Sequence, residues 1–174
     1  MLIISHVLTG FVCMSPIENE QMDVNFKLRP EAIDIVVADD KEQILEAVAA
    51  RFAAVYGVDQ IPVLDSLQER EALGSTGFGR GVAIPHARSD NVNRPVAVLL
   101  KLEHAVDFGS ADGMDVDLVF GLLSPVNAGA GHLHALAAIS RLVRDDNVHL
   151  ALSEAQSAEA IYALLSNVSD RDVA

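Results

Sequence analysis

Residues 70–86 read Arg70-Glu-Ala-Leu-Gly-Ser-Thr-Gly-Phe-Gly-Arg-Gly-Val-Ala-Ile-Pro-His86. Gly74, Gly77, Gly79 and Gly81 fall within eight positions, with Ser75 and Thr76 among them. Such a density of glycine lets a backbone turn through positive φ and approach a neighbour closely. Its exposed N–H groups suit an anion-binding concavity. The spacing predicts a loop or bent strand, then a short strand over residues 82–85 that delivers His86 at its end. An imidazole with a pKa near neutrality is a competent nucleophile at pH 7. The bland reading, a turn-rich connection ending in a hydrogen-bonded structural histidine, competes with this one.

Charge sharpens the choice. Residues 70–94 hold Arg70, Arg80, Arg88 and Arg94 against Glu71 and Asp90, a local +2 in a chain of net charge −13. A positive island on an acidic protein points to an anion, and the planar arginine fork matches phosphate oxygens. A Walker A loop, Gly-x-x-x-x-Gly-Lys-Ser/Thr, is absent, so nucleotide binding of that kind is not supported. The overall charge argues against nucleic acid as a partner, because affinity there comes from neutralising phosphates. It favours small-molecule or protein partners.

Outward from this stretch, helix and strand patterns alternate, which predicts a single α/β domain. Residues 33–38 form an apolar, β-branched run read as a strand. Asp39 and Asp40 then offer an N-cap, with Gln43 at capping-box distance from Asp40. Ile44, Leu45, Val48, Phe52 and Val55 follow at helical spacing, up to Gly57. A second helix is expected over residues 62–73, with Pro62 in its first turn and Gly74 beyond its end. Residues 96–102 and 116–123 read as buried strands. Residues 131–143 read as a helix, as do the shorter segments 147–154 and 158–165, the last capped by Ser157.

The chain of 174 residues is 51% hydrophobic, ample for one packed core. No apolar run of 18 residues without a charge predicts a membrane-spanning helix. The apolar N-terminus lacks the basic region of a secretory leader, since the first basic residue is Lys27. Residues 1–22 are read as a tail, with Met14 and Met22 as alternative translation starts. Cys13 is the single cysteine, with no basic neighbour in sequence to activate it.

His132-Leu133-His134 is a second point of interest. Two residues apart on a helix is about 200° of rotation, so at most one of these rings faces a given site. Metal ligation from one helix needs i, i+4 spacing, which is absent, and no zinc site is expected. One of the pair is a candidate assistant to His86. His6, His104 and His149 carry no supporting pattern and are read as structural or surface residues.

The run from Arg70 to His86, together with His132-Leu-His-Ala-Leu-Ala, resembles the active-site segments of the enzyme IIA domains of the fructose/mannitol class (type 2) of the bacterial phosphotransferase system. It is most similar to the nitrogen-related branch of that family. The resemblance covers residues 23–168, leaving 169–174 as a C-terminal tail. It implies a mixed β-sheet sandwiched between helices. It implies that His86 is the phosphorylated histidine, on Nε2 (a tele-phosphohistidine), and that His132 is the second active-site histidine. Arg70 matches the phosphate-pocket arginine, while Ser75, Thr76, Gly77 and Arg88 line the phosphate. His134 fits the nitrogen-related branch without an assigned role.

The implied donor is an HPr-type phosphocarrier, itself charged from phosphoenolpyruvate through enzyme I. The implied outlets are regulatory targets such as kinases or transporters, or else a IIB domain in sugar uptake. A pure binding module that keeps the fold without the chemistry is the remaining alternative. Neither cofactor nor metal is implied, and the expected compartment is the cytoplasm. One departure concerns Ala87, which stands where the family often has glycine, and which is strained if that position needs positive φ.

Overall fold

The structure is a computed structural model that describes residues 26–171. The tail at 1–22, with His6, Cys13, Met14 and Met22, lies outside the described residues. Eleven elements follow one another: β1 (Lys27–Val36), α1 (Lys41–Tyr56), α2 (Gln60–Ala72), β2 (Gly77–Gly79), β3 (Val82–Ala83), β4 (His86–Ser89), β5 (Val96–Val106), β6 (Val116–Pro125), α3 (Ala130–Arg144), α4 (Asp146–Glu154) and α5 (Ala158–Arg171). They build one mixed sheet in the order β1-β5-β6-β3-β2, with β4 also pairing to β6. Helices α1 and α2 pack on each other and on β1, β5 and β4, while α3 and α4 pack on β6 and α5 on β1.

Caps account for the helix ends. The Asp40 side chain accepts from Gln43 N at 2.9 Å, and Gln43 Oε1 reaches back to the N–H of Asp39 at 3.1 Å. This is the reciprocal arrangement that the spacing predicts, shifted by one residue on the return bond. Gly57 closes α1 with φ 69°. Ser157 Oγ accepts from Ala160 N at 3.2 Å at the start of α5. That last helix runs to Arg171, through residues 169–171 assigned above to a tail.

Two strand expectations need correction. β1 begins at Lys27, six residues before the predicted start at 33. Its first half, Lys27-Leu-Arg-Pro-Glu, hides the strand because Pro30 cannot donate to a ladder. The chain resolves this with a bulge between Leu28 and Ile33 on an edge strand, where Arg29, Pro30 and Glu31 face solvent. The predicted strand at 82–85 is shorter, ending at Ala83 as β3, and a further strand, β4, begins at His86; both are parallel to β6. Pro85 lies at the break. It has no N–H to contribute, but its carbonyl accepts from Leu122 N at 3.0 Å, so the line of pairing continues through it. His86 is therefore not the end of a strand but the first residue of one.

The core is a single cluster in which Phe52, Leu99, Phe120 and Leu122 are fully buried. β6 lies in the middle of the sheet, and at Gly121 it passes directly beneath α1. A Cβ at that position would sit 2.7 Å from both Val48 Cγ1 and Val98 Cγ2. Both neighbours are β-branched and stiff at χ1. Gly121→Ala is expected to destabilise the fold by about 1–3 kcal/mol through overpacking. Urea unfolding measures this, and an unchanged midpoint would contradict the close α1–β6 contact.

Candidate functional site

The site forms where β4, the end of β6, the end of α2 and the start of α3 converge. Parallel pairing of His86 with Leu122 fixes the backbone of the histidine against the central strand. Its ring is then held at both nitrogens. Nδ1 lies 2.9 Å from the carbonyl oxygen of Ile84, and Nε2 lies 3.0 Å from Arg70 Nε. A carbonyl can only accept and a guanidinium can only donate. Nδ1 therefore carries the proton, and the lone pair is on Nε2. Arg70 comes from the last turn of α2, and its Nη1 donates to Gly74 O at 3.0 Å.

His132 is the third residue of α3. It is 7% exposed, and its ring centroid lies 5.5 Å from that of His86, with the planes inclined by 53°. Its Nδ1 is 2.9 Å from the hydroxyl of Ser124, a fully buried residue on β6. His134 is exposed, so one ring of the pair faces the site and the other does not, as the helical rotation requires. Arg88 lies two residues beyond His86 on β4, hence on the same side of the strand. Its Nη1 donates to Val126 O at 3.0 Å.

The electrostatics favour neutral rings. Burial pushes the His86 pKa below its ordinary value. The Ile84 bond raises it, Arg70 lowers it, Glu71 raises it and Arg88 lowers it, and the net displacement is downward. Burial, then the charges of Arg88 and His86, push His132 down to about 4. At pH 7 the site presents two uncharged imidazoles beside two fixed positive charges.

The Gly-rich loop is used differently from the expectation. Thr76 gives both its donors to Glu71 Oε2, the N–H at 2.9 Å and the hydroxyl at 2.5 Å. Ser75 Oγ donates to Phe108 O at 3.1 Å and accepts from Gly77 N at 3.1 Å. These donors hold the loop to the rest of the fold and do not point at His86. Gly77 is needed because Ser110 crosses over it: a Cβ would lie 2.8 Å from Ser110 Cα. Ala87 is unstrained, since Arg80 is the sole non-glycine residue with positive φ among the described residues.

Three partners escaped the sequence reading. Ser124 and the Ile84 carbonyl carry no sequence signal of a site. Glu71 stood in the quoted run but counted only as an opposing charge. Its Oε1 accepts from Lys41 Nζ at 2.9 Å, and its side chain is 8% exposed. The carboxyl is held below its usual range despite burial, because Thr76 and Lys41 both donate to it. His104 and His149 lie elsewhere, near Asp39 and Asp117 respectively. No helix among the described residues is long and apolar enough to cross a membrane.

Comparison with known proteins gives a consistent result. Residues 27–168 match the family described as "Phosphoenolpyruvate-dependent sugar phosphotransferase system, EIIA 2". The chain is 40% identical over 146 residues to a nitrogen regulatory protein of Bradyrhizobium diazoefficiens, covering 83% of this chain and 95% of that one. It is 38% identical to a nitrogen regulatory protein of Pseudomonas aeruginosa, covering 78% and 88%. The crystal structure of nitrogen regulatory protein IIA-Ntr from Neisseria meningitidis superposes with a TM-score of 0.74 at 31% identity, covering 79% of this chain and 95% of that one. In fold and in sequence, the chain belongs to the EIIA 2 family of the phosphoenolpyruvate-dependent sugar phosphotransferase system.

Proposed function

We propose that this protein is a phosphoryl carrier of the nitrogen-related branch, accepting a phosphoryl group on His86 Nε2 from an HPr-type phosphocarrier and signalling through its phosphorylation state. The observation that carries this reading is the pair of bonds on His86. Ile84 fixes the proton on Nδ1, and Arg70 meets the lone pair on Nε2 at 3.0 Å. The nucleophilic nitrogen thus already lies beside the cation that the incoming anion needs.

The transfer is written as an in-line displacement. The Nε2–P bond forms as the N–P bond of the donor's phosphohistidine breaks, and the breaking bond's electron pair returns to the donor nitrogen. If the donor ring carries a proton on its other nitrogen, it leaves as neutral imidazole. His86, retaining Nδ1–H, becomes the protonated phosphoimidazole, and no proton has to move. As phosphorus approaches, the Arg70 donors pass from Nε2 to the phosphoryl oxygens, where negative charge is concentrated. His132 supports the same group from the side when Ser124 donates to its Nδ1, leaving an Nε2–H to donate. Arg88 adds charge, and Ser75, Thr76 and Gly77 brace the loop whose Gly74 carbonyl steers Arg70.

The surroundings suit a protein donor better than a small molecule. Leu73 just past α2, Val126 just past β6 and Leu133 on α3 adjoin Arg70, Arg88 and His132 and are 84%, 45% and 65% exposed. Apolar side chains around a charged centre are the composition of a protein interface. The reading places the protein in the cytoplasm, without nucleic acid or membrane insertion. Within it, the downstream partner is a regulatory target such as a kinase or transporter. Transfer to a IIB domain in fructose or mannitol uptake is the rival outlet.

The test is labelling with phosphoenolpyruvate, enzyme I and an HPr-type carrier. Wild type is expected to gain acid-labile phosphate and His86→Ala to gain none. Arg70→Gln is expected to label about 100-fold more slowly, the cost of removing one charge-stabilising donor. Equal labelling of His86→Ala would refute the assignment. Rapid passage of the label to a purified fructose or mannitol IIB domain would favour the sugar-uptake outlet over regulation.

The site also predicts a titration. Burial and the two arginines depress His86, so its ring is neutral and nucleophilic to a lower pH than an ordinary histidine. NMR of the imidazole should show a midpoint below 6.5 in wild type. Arg70→Gln should raise that midpoint, because it removes both a repelling charge and a donor to the neutral form. An unchanged or lower midpoint in the variant would contradict the Arg70–His86 contact.

A further inference from the structure

Both nitrogens of His86 depend on the same short segment of chain. On one side, Arg70 is steered by Gly74 O, which accepts its Nη1 at 3.0 Å. On the other, Ile84 is held by Thr76 O, which accepts Ile84 N at 2.9 Å, and the Ile84 carbonyl then takes His86 Nδ1. Gly74 and Thr76 lie in the connection between α2 and β2. Ser75 ties that connection to Phe108 O, and Glu71 ties it to α2, reaching five residues ahead to take the N–H and hydroxyl of Thr76. Its other oxygen is filled by Lys41 Nζ, from the first residue of α1. Lys41 is itself seated over the ring of Phe108, 4.8 Å from its centroid.

We propose that Glu71, held by Lys41 and clamped on Thr76, is a positioning residue for phosphoryl transfer, setting Arg70 and Ile84 against the two nitrogens of His86. The proposal rests on the reading of His86 as the phosphoryl acceptor and adds the machinery that aims it. Glu71 touches neither His86 nor the transferring group. Its action is to fix the ends of the two hydrogen-bond paths that do. A second effect follows from its full occupancy. Arg70 is the preceding residue on the helix, and a carboxylate with a free oxygen would draw that guanidinium away from the anion site. With Oε1 on Lys41 and Oε2 on Thr76, Glu71 leaves Arg70 to Gly74 and His86. The small displacement that follows loss of such a clamp is costly, since misplacement by about 1 Å of a catalytic group can slow a reaction by about 100-fold.

An ordinary stabilising ion pair would give the same picture in a static structure, so the test uses readouts that stability does not move. Transfer is measured from the phosphorylated HPr-type carrier, well below the melting temperature of each variant. Glu71→Gln is expected to lower the saturated transfer rate about tenfold, with little change in KM for the donor, because the docking surface is intact. Thr76→Val should do the same. Lys41→Arg should keep most of the rate and Lys41→Met should lose it.

The decisive comparison is a double-mutant cycle: in an Arg70→Gln background, Glu71→Gln should have less than about a twofold further effect. Independent multiplication of the two losses would overturn the proposal, as would a Glu71→Gln rate equal to wild type. A readout free of phosphoryl transfer separates this claim from the one it rests on. Exchange of the His86 Nδ1 proton with solvent, followed by NMR, should be faster in Glu71→Gln. If wild type fails to label but that proton loosens in the variant, the function assigned to His86 falls and the positioning role stands. If the proton is unaffected, the positioning role falls.

Discussion

The site depends on one imidazole being gripped from both sides. The carbonyl of Ile84 dictates which nitrogen of His86 carries the proton, and Arg70 waits at the other with a positive charge. In the proposed role of His86 as phosphoryl acceptor, neither bond suffices alone. The carbonyl fixes the tautomer and ring plane, and the guanidinium supplies the field for the anion while disfavouring protonation of the ring. Half-buried between them, the histidine keeps its lone pair at neutral pH without a separate general base.

The architecture can be read as the means of bringing those two partners together. Arg70 ends a helix, and Ile84 lies at the break between two short strands. Only a sharp, glycine-bearing connection lets the chain go from one to the other within fifteen residues. Pro85 marks the break and still offers its carbonyl to β6, so the central strand holds both β3 and β4 in line. β6 then continues to Ser124, whose hydroxyl meets His132, and the chain returns in α3 to place that second ring 5.5 Å from the first. A single central strand thus registers both histidines.

Much of this was legible because the relevant residues carry chemistry in their identity. Glycines in close succession, a proline before a histidine and arginines in an acidic chain each limit what the backbone or the charge can do. Helical rotation allows only one of His132 and His134 to face the site, the family resemblance implies His132, and His132 is the buried one of the two. What was not legible has common physical causes. β1 begins early because a bulge accommodates Pro30, and β4 is hidden because three of its four residues, His86, Arg88 and Ser89, are polar and the run is too short to show a period. The hydroxyls of Ser75 and Thr76 read the same in sequence whether they face a ligand or their own loop, and here they bind the loop. Glu71 and Ser124 act through partners distant in sequence, which no local pattern reveals.

The central claim is most directly tested at the atom it names. Protein labelled with 15N in its histidine rings, phosphorylated through the HPr-type carrier, can be followed by 15N and 31P NMR. The account predicts phosphorus bonded to Nε2 of His86, with Nδ1 still protonated on the Ile84 carbonyl. Phosphorus on Nδ1, or on any other residue, would contradict it.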